Sequence, residues 1–291
     1  MTKAFVVGYP IQHSRSPLIH GYWLKEHGIT GSYERIAVAP EDFAAFLSGF
    51  PAQGFAGGNV TIPHKEAAYA GVHRRTPRAE RLGAVNTLWV EDGILWGDNT
   101  DVAGFTAHLD QTLGAGWERP VGAALVIGAG GAARAVVAGL QERGIGSIGV
   151  ANRTAGKADE VVRDLAIGAP GGSGAPEGSG GLHTVAFADL GRAVGEAGLI
   201  VNTTSLGMAG QPALALDLAA VRPDAVVADI VYVPLKTPLL AGAEARGLRT
   251  VDGLGMLLHQ AAPGFRRWFG VTPEVVPDLR ALIVADIGDG R

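Results

Sequence analysis

Short apolar runs separated by segments of helical period organise this chain. Residues 4–8, 33–38 and 56–62 are apolar runs that predict strands. Between the first two, Leu18, Ile19, Tyr22, Trp23 and Leu24 recur at helical spacing, predicting a helix over 17–27. Residues 87–90 and 94–96 flank Glu91-Asp92-Gly93, the signal of a hairpin turn. Strands alternating with helices predict an α/β domain with parallel pairing, the hairpin being its antiparallel part. Residues 102–113 then predict a connecting helix, broken at Gly114-Ala115-Gly116.

A second alternating series begins beyond Pro120. Its predicted strands are 123–127, 147–151, 184–187, 199–202, 225–230 and 248–251, with helices rich in Ala, Leu and Arg between them. This is the doubly wound pattern. One Gly/Ser/Pro/Ala stretch, from Gly168 to Gly181, has too little apolar surface to offset the entropy of ordering it, and is expected to be a mobile surface loop. From Gly253 the pattern is helical again, with Met256, Leu257, Gln260 and Ala261 followed by Phe265 and Trp268, and a last helix is predicted over 277–287. This tail is expected to pack back on the first domain.

Composition narrows the class. A chain of 291 residues exceeds one ordinary core, so two domains are expected. With 47% hydrophobic and 18% charged residues it is composed like a globular enzyme. A formal charge of −4 without a basic block argues against a nucleic-acid partner. There is no cysteine, which excludes disulfides, thiolate nucleophiles and cysteine-based zinc sites. The eight histidines show no metal-ligand spacing, so no metal is expected. No apolar run approaches the ~18–20 residues of a membrane span, and the N-terminus reads as a first strand rather than a signal peptide. A cytoplasmic setting is expected.

The apolar run at 123–127 leads at once into Gly128-Ala129-Gly130-Gly131-Ala132-Ala133 and a helix to about Arg143. In that strand–loop–helix setting, G-x-G-x-x-A is a dinucleotide loop. Gly128 allows the tight turn, Gly130 lets pyrophosphate approach the backbone, and Ala133 keeps the helix close to the sheet. The helix N-terminus supplies N–H groups and a favourable dipole for the anion. The next strand ends in Ala151-Asn152-Arg153-Thr154, with Lys157 close behind, where an NAD site would carry an acid. A guanidinium stacks on adenine and pairs with a 2′-phosphate, whereas a carboxylate repels it. The ordinary alternative, a solvated arginine at a helix start, is weakened because a cation is poorly placed there. The predicted cofactor is NADP.

The chemistry-bearing residues lie upstream. Ser16 before Pro17 has the form of a helix N-cap followed by proline at the first turn. Ser14, two residues earlier, has no capping role and points the same way if the segment is extended. Two hydroxyls at a helix N-terminus suit a carboxylate. His13 and His20 show no sign of more than packing or surface roles. In Asn59-Val60-Thr61-Ile62-Pro63-His64-Lys65 the polar pair Asn59 and Thr61 shares one face at strand period, Pro63 ends the strand and Lys65 begins a helix. An isolated lysine is ordinarily a surface residue, but these polar neighbours and Asp101 in Asn99-Thr100-Asp101 make Lys65 a candidate acid/base. Asn86 adds an amide before the next strand. Asp98 reads as a turn residue.

Together these motifs resemble the shikimate dehydrogenase family nearly end to end. The resemblance is carried by Ser-x-Ser-Pro, Asn-Val-Thr-Ile-Pro-His-Lys, Gly-Ala-Val-Asn-Thr, Asn-Thr-Asp, Gly-Ala-Gly-Gly-Ala-Ala-Arg and Asn-Arg-Thr. It continues through Asn202-Thr203-Thr204-Ser205-Leu206-Gly207-Met208, Asp229-Ile230-Val231-Tyr232 and the segment from Asp252 to Ala261. It implies a reversible NADP-linked reduction of 3-dehydroshikimate to shikimate in aromatic amino-acid biosynthesis. It further implies that Ser14 and Ser16 hold the substrate carboxylate. Thr61, Lys65, Asn86, Asp101 and Gln260 would surround the ring hydroxyls with Tyr232 nearby, and Ile230 and Gly253 would lie beside the cofactor. The chain departs from the family at Gly21, where asparagine is common, and at Pro77, where an acid is common.

The expected organisation is therefore α/β with two domains. An N-terminal α/β substrate domain spans 1–101, a Rossmann-type doubly wound NADP-binding domain spans 102–252, and C-terminal helices over 253–291 return to the first. Lys65 is expected to move the proton, with Asp101 orienting it; Gly128, Ala129, Gly130, Gly131 and Ala132 form the phosphate loop. The expected partner is a small molecule, and the chain is expected to be a monomer or homodimer. The competing expectations are a quinate or quinate/shikimate dehydrogenase using NAD(P), a non-catalytic NADP-sensing module that would have lost Lys65 or Asp101, and a folate-linked dehydrogenase that would leave Ser14 and Ser16 unexplained.

Overall fold

The computed structural model describes residues 1–166 and 181–288. The expected loop from Gly168 lies outside the described residues, except that Gly181 opens a strand. The chain forms two compact units, one of Met1–Gly104 with the chain from Leu258 onward, the other Phe105–Leu257. The joints fall inside two helices, Asp101–Leu113 and Leu254–Phe269.

The first unit is built on a six-stranded sheet of β1 (Thr2–Gly8), β2 (Gly31–Ala37), β3 (Phe55–Val60), β4 (Arg74–Arg75), β5 (Thr87–Glu91) and β6 (Ile94–Asp98), in the order β2-β1-β3-β5-β6-β4. β1 runs parallel to both β2 and β3, whereas β5 is antiparallel to β3 and β6. The unbroken apolar run of β1 follows from burial on both faces. Phe5 and Val7 enter one core; Ala4 and Val6 enter the other. Phe5 meets the rings of Phe46, Phe50 and Phe55 edge-on at 5.2, 5.1 and 5.2 Å. On the opposite face, Trp23 of the helix Ser16–Glu26 donates its indole N–H to the Glu274 carbonyl at 3.0 Å, and Trp268 donates to the Leu88 carbonyl at 2.8 Å. Both large side chains are thus buried with their single donor satisfied.

The second unit holds β7 (Ala123–Ile127), β8 (Ser147–Ala151), β9 (Gly181–Val185), β10 (Leu199–Asn202), β11 (Val226–Asp229) and β12 (Arg249–Val251), in the order β12-β11-β10-β7-β8-β9. Every pairing is parallel. Counted from β7, this is the 3-2-1-4-5-6 order of the doubly wound dinucleotide fold. The order reverses between β7 and β10, so Gly128 and Asn202 stand at the switch point, where such sheets bind their ligands.

Several boundaries differ from those predicted. β3 stops at Val60 rather than at residue 62, because Ile62 turns outward, 74% exposed, before a cis Ile62–Pro63 bond. β9 lies a few residues earlier than predicted, being an edge strand in which Val185 alone is buried. The short strand Arg74–Arg75 and the helix Phe43–Gly49 lie outside the predicted elements, although Phe43, Phe46, Leu47 and Phe50 recur at helical spacing.

Candidate active site

Lys65 opens the helix Lys65–Gly71, and Asp101 opens the helix Asp101–Leu113. The Lys65 carbonyl accepts from the Val85 N–H at 2.9 Å, tying this helix start to the segment before β5. Lys65 Nζ donates to Asp101 Oδ2 at 2.6 Å, and the side chains are 27% and 12% exposed. Asp101 Oδ1 accepts from Asn86 Nδ2 at 2.9 Å. The Asp101 N–H donates to Asn99 Oδ1 at 3.0 Å, and Asn99 Nδ2 in turn donates to the Ala84 carbonyl at 3.2 Å. Both carboxylate oxygens are therefore occupied, which a mostly buried ion pair requires. Thr100 supplies the support behind: its N–H donates to Asn86 Oδ1 at 2.9 Å and its hydroxyl to the Gln260 carbonyl at 2.8 Å. Asp98 keeps the turn role, accepting from the Thr76 hydroxyl and, at 2.7 Å, from the Asn99 N–H.

The serine segment departs from its predicted form. The helix begins at Ser16 itself, Arg15 occupies the cap position in a helical conformation, and no side chain caps the end. Ser16 is not the N-cap and the segment is not extended at Arg15. Instead Ser14 Oγ accepts from the Ser16 N–H at 3.4 Å, and the Ser16 side chain is buried. The Ser14 carbonyl is held by Arg35, through Nε at 2.9 Å and Nη2 at 2.7 Å. Thr61 follows β3, with its N–H on the Val7 carbonyl at 2.9 Å.

On the second unit, Gly128 follows β7 with φ +117°, and a Cβ there would stand 2.5 Å from Thr203 Oγ1. That turn admits only glycine comfortably. The helix Gly131–Glu142 starts straight after it, with Gly130 at its cap and the Ala133 side chain fully buried. A Cβ on Gly130 or Gly131 would meet no described atom within 4 Å, so there is room beside the helix start, whose first N–H groups have no partner within the helix. Ala129 lies in the same turn. β8 is paired beside β7, the Gly128 N–H bonding the Ala151 carbonyl at 2.8 Å, and this brings Asn152, Arg153 and Thr154 next to the glycine loop. Asn152 Nδ2 donates to the Thr154 carbonyl at 2.9 Å, and Arg153 and Lys157 are exposed. Glycine turn, open helix end and exposed cations suit a dinucleotide carrying an extra phosphate. Among the described residues no cluster of His, Asp and Glu could hold a metal ion.

Residues 6–88 match the family described as the shikimate dehydrogenase substrate binding domain, and residues 253–283 match the shikimate 5′-dehydrogenase C-terminal domain. The chain is 61% identical to a shikimate dehydrogenase (NADP(+)) of Methylobacterium radiotolerans, over 98% of this chain and 97% of the other. The chain belongs to the shikimate dehydrogenase family. Among solved structures, the shikimate 5-dehydrogenase of Thermus thermophilus in complex with NADP(H) and shikimate superposes with a TM-score of 0.83 at 35% identity, covering 99% of this chain and 100% of the other. The quinate dehydrogenase of Corynebacterium glutamicum in complex with NAD superposes with a TM-score of 0.86 at 29% identity, covering 98% and 99%.

Among the buried polar residues of the family's substrate-domain segment that lay outside the predicted site are His20, Tyr33, Asn59 and Thr87. Tyr33 Oη donates to Asn59 Oδ1 at 2.6 Å, and Asn59 Nδ2 donates to Thr87 Oγ1 at 3.2 Å. The His20 ring stacks on Tyr33, and burial pushes its pKa down to about 3, with Asn59 pulling weakly the other way. Burial likewise pushes the Tyr33 phenol well up, with the Ser16 side chain and the Asn59 backbone acting the other way. The shared face of Asn59 and Thr61 at strand period was the one signal that could have found part of this group. In the second unit, Asp229 ends β11 and accepts from Asn202 Nδ2 at 3.0 Å, the Val231 N–H at 3.0 Å and the Thr237 hydroxyl at 2.7 Å. It thereby shapes the loop that carries Ile230 and Tyr232. A Cβ on Gly253 would fall 2.1 Å from the Ile230 carbonyl oxygen, so close approach requires glycine there.

Proposed function

We propose that this chain catalyses the reversible NADP-linked reduction of 3-dehydroshikimate to shikimate, with Lys65 as the group that moves the proton. The Lys65–Asp101 contact at 2.6 Å, in a chain 61% identical to an NADP-dependent shikimate dehydrogenase, carries this proposal. When bound, NADP supplies or accepts the hydride at its nicotinamide. In the reducing direction the ketone carbon gains that hydride and its oxygen takes a proton from the Lys65 ammonium; oxidation reverses both transfers. A positioned acid/base of this kind contributes ~10²–10⁴-fold. Asp101 orients the ammonium, and Asn86 orients Asp101.

Ser14 and Ser16 are assigned to the substrate carboxylate, and Thr61, Asn86, Tyr232 and Gln260 to its hydroxyls. Gly128, Ala129, Gly130, Gly131 and Ala132 would hold the pyrophosphate. Asn152, Arg153, Thr154 and Lys157 would hold the adenosine 2′-phosphate, and Ile230 and Gly253 would flank the nicotinamide. The absence of an acid at the end of β8 supports NADP over NAD. We place the enzyme in the cytoplasm, as a monomer or homodimer acting on a small-molecule substrate.

Initial rates with shikimate and quinate, each with NADP and with NAD, test the proposal. Shikimate with NADP is expected to be the preferred pair by a wide margin. Turnover of quinate at comparable efficiency would replace this proposal with a quinate/shikimate dehydrogenase.

A further inference from the structure

The side-chain hydrogen bonds that lead to Asp101 Oδ1 from Tyr33, through Asn59, Thr87 and Asn86, run one way. The Thr100 N–H at 2.9 Å fixes the orientation of the Asn86 amide, since a backbone donor must meet its Oδ1. Asn86 Nδ2 is then left to donate to the Asp101 carboxylate at 2.9 Å. Thr87 Oγ1 lies 2.8 Å from that same Oδ1 and 3.2 Å from Thr100 Oγ1; the Asn86 carbonyl oxygen, nearer and able only to accept, takes the single hydrogen of Thr87 Oγ1. Its lone pairs remain for Asn59 Nδ2 at 3.2 Å, and this leaves Asn59 Oδ1 to accept from Tyr33 Oη at 2.6 Å. Each donor points towards Asp101, across a segment where Asn59, Asn86, Thr87 and Thr100 are each at most 5% exposed.

We propose that the Thr87 hydroxyl is a positioning group for the reaction, the central link of a one-way hydrogen-bonded chain from Tyr33 through Asn59 and Asn86 to Asp101. Hydrogen bonds in series polarise one another at low local dielectric, and a chain that ends on a carboxylate has one favoured direction. Lys65 and Asp101 touch each other directly, but the plane of the Asp101 carboxylate is set by Asn86. The Asn86 carbonyl oxygen is set in turn by the Thr100 N–H and the Thr87 hydroxyl. Loss of the hydroxyl leaves Asn86 with one fewer restraint and leaves Asn59 Nδ2 with the Asn86 backbone carbonyl, at 3.2 Å, as its remaining acceptor. Small errors of placement at a reacting group are costly, up to ~10²-fold for about 1 Å. The inference rests on the assignment of Lys65 as the acid/base.

Thr87→Val keeps the side-chain shape and removes the hydroxyl, whereas Thr87→Ser keeps the hydroxyl and trims the shape. Thr87→Val is expected to lower kcat about tenfold with KM for shikimate changed less than about threefold, while Thr87→Ser stays within about threefold of wild type. Tyr33→Phe breaks the same chain two links earlier without losing the ring that packs on His20, and is expected to lower kcat by a smaller factor, about threefold. Melting curves of each variant report folding separately. Equal kcat in Thr87→Val and wild type would overturn the inference, and so would Thr87→Ser falling as far as Thr87→Val. If Thr87→Val does not fold, an unchanged kcat in Tyr33→Phe overturns it. Lys65→Ala in the same assay separates the two claims: retained kcat there defeats the acid/base assignment, whereas a lost kcat beside an unaffected Thr87→Val defeats only the chain.

Discussion

His20 lies flat against Tyr33, with ring centroids 3.9 Å apart and planes within 7°. The imidazole is wholly buried, and neither ring nitrogen finds a hydrogen-bond partner of normal geometry. Its pKa is pushed from 6.5 to about 3 by that burial. Between these values the unfolded chain carries a proton that the native chain refuses, so stability is greatest above pH 6.5 and declines on acidification towards pH 3. At pH 5 the loss from this one residue is on the order of 2 kcal/mol. His20→Phe, which keeps a ring in the stack, is expected to flatten the fall in Tm between pH 7 and pH 5. An unchanged slope would mean that His20 titrates normally.

Asp229 carries a different pH signature. Burial raises its carboxyl pKa above 3.8, against hydrogen bonds from Thr237, Val231 and Asn202. A raised carboxyl pKa means that its contribution is full below pH 3.8 and is lost as pH rises through the native value. The ionised group is therefore a net cost at neutral pH, although its acceptors organise the loop. Asp229→Asn keeps an acceptor for Asn202 and Val231 and is expected to cost no more than about 1 kcal/mol in denaturant unfolding. Asp229→Ala strands the Val231 and Thr237 donors and is expected to cost about 2–4 kcal/mol. Equal losses in the two variants would show that the hydrogen bonds do not organise this loop.

Arg153 is exposed and directly follows Asn152 at the end of β8, so its replacement is expected to leave Tm unchanged. A charge-assisted bond to phosphate is worth about 1.5–3 kcal/mol. Arg153→Glu is expected to lower kcat/KM for NADP about 10–100-fold while altering NAD far less. Parallel losses with both cofactors would remove Arg153 from phosphate recognition.

The doubly wound unit was legible because its signals are local. The strand 123–127, the glycine turn and the following helix are contiguous, and the buried strands β7, β8 and β10 show unbroken apolar runs whose boundaries match those predicted. β9 was displaced because an edge strand carries little apolar pattern. In the first unit Lys65, Asp101 and Asn86 stood out as polar residues beside strand ends, and the structure joins them directly. The chain behind them was not legible. Tyr33, Asn59 and Thr87 are separated by 26 and 28 residues and meet only through tertiary packing, and tyrosine and threonine in strands read as ordinary strand residues. Ser-Pro satisfies the local rule for a cap, yet Ser16 opens the helix itself with its side chain buried, a placement that the local rule does not contain.

Lys65 is the residue on which the proposed proton transfer depends. The most direct measurement is kcat for NADP-dependent shikimate oxidation in Lys65→Ala at saturating substrate, with folding verified by an unchanged far-ultraviolet circular dichroism spectrum. The expected result is a fall of at least ~10²-fold in kcat with a smaller change in KM. A near-wild-type kcat with only a raised KM would make Lys65 a binding residue and contradict its role in proton transfer.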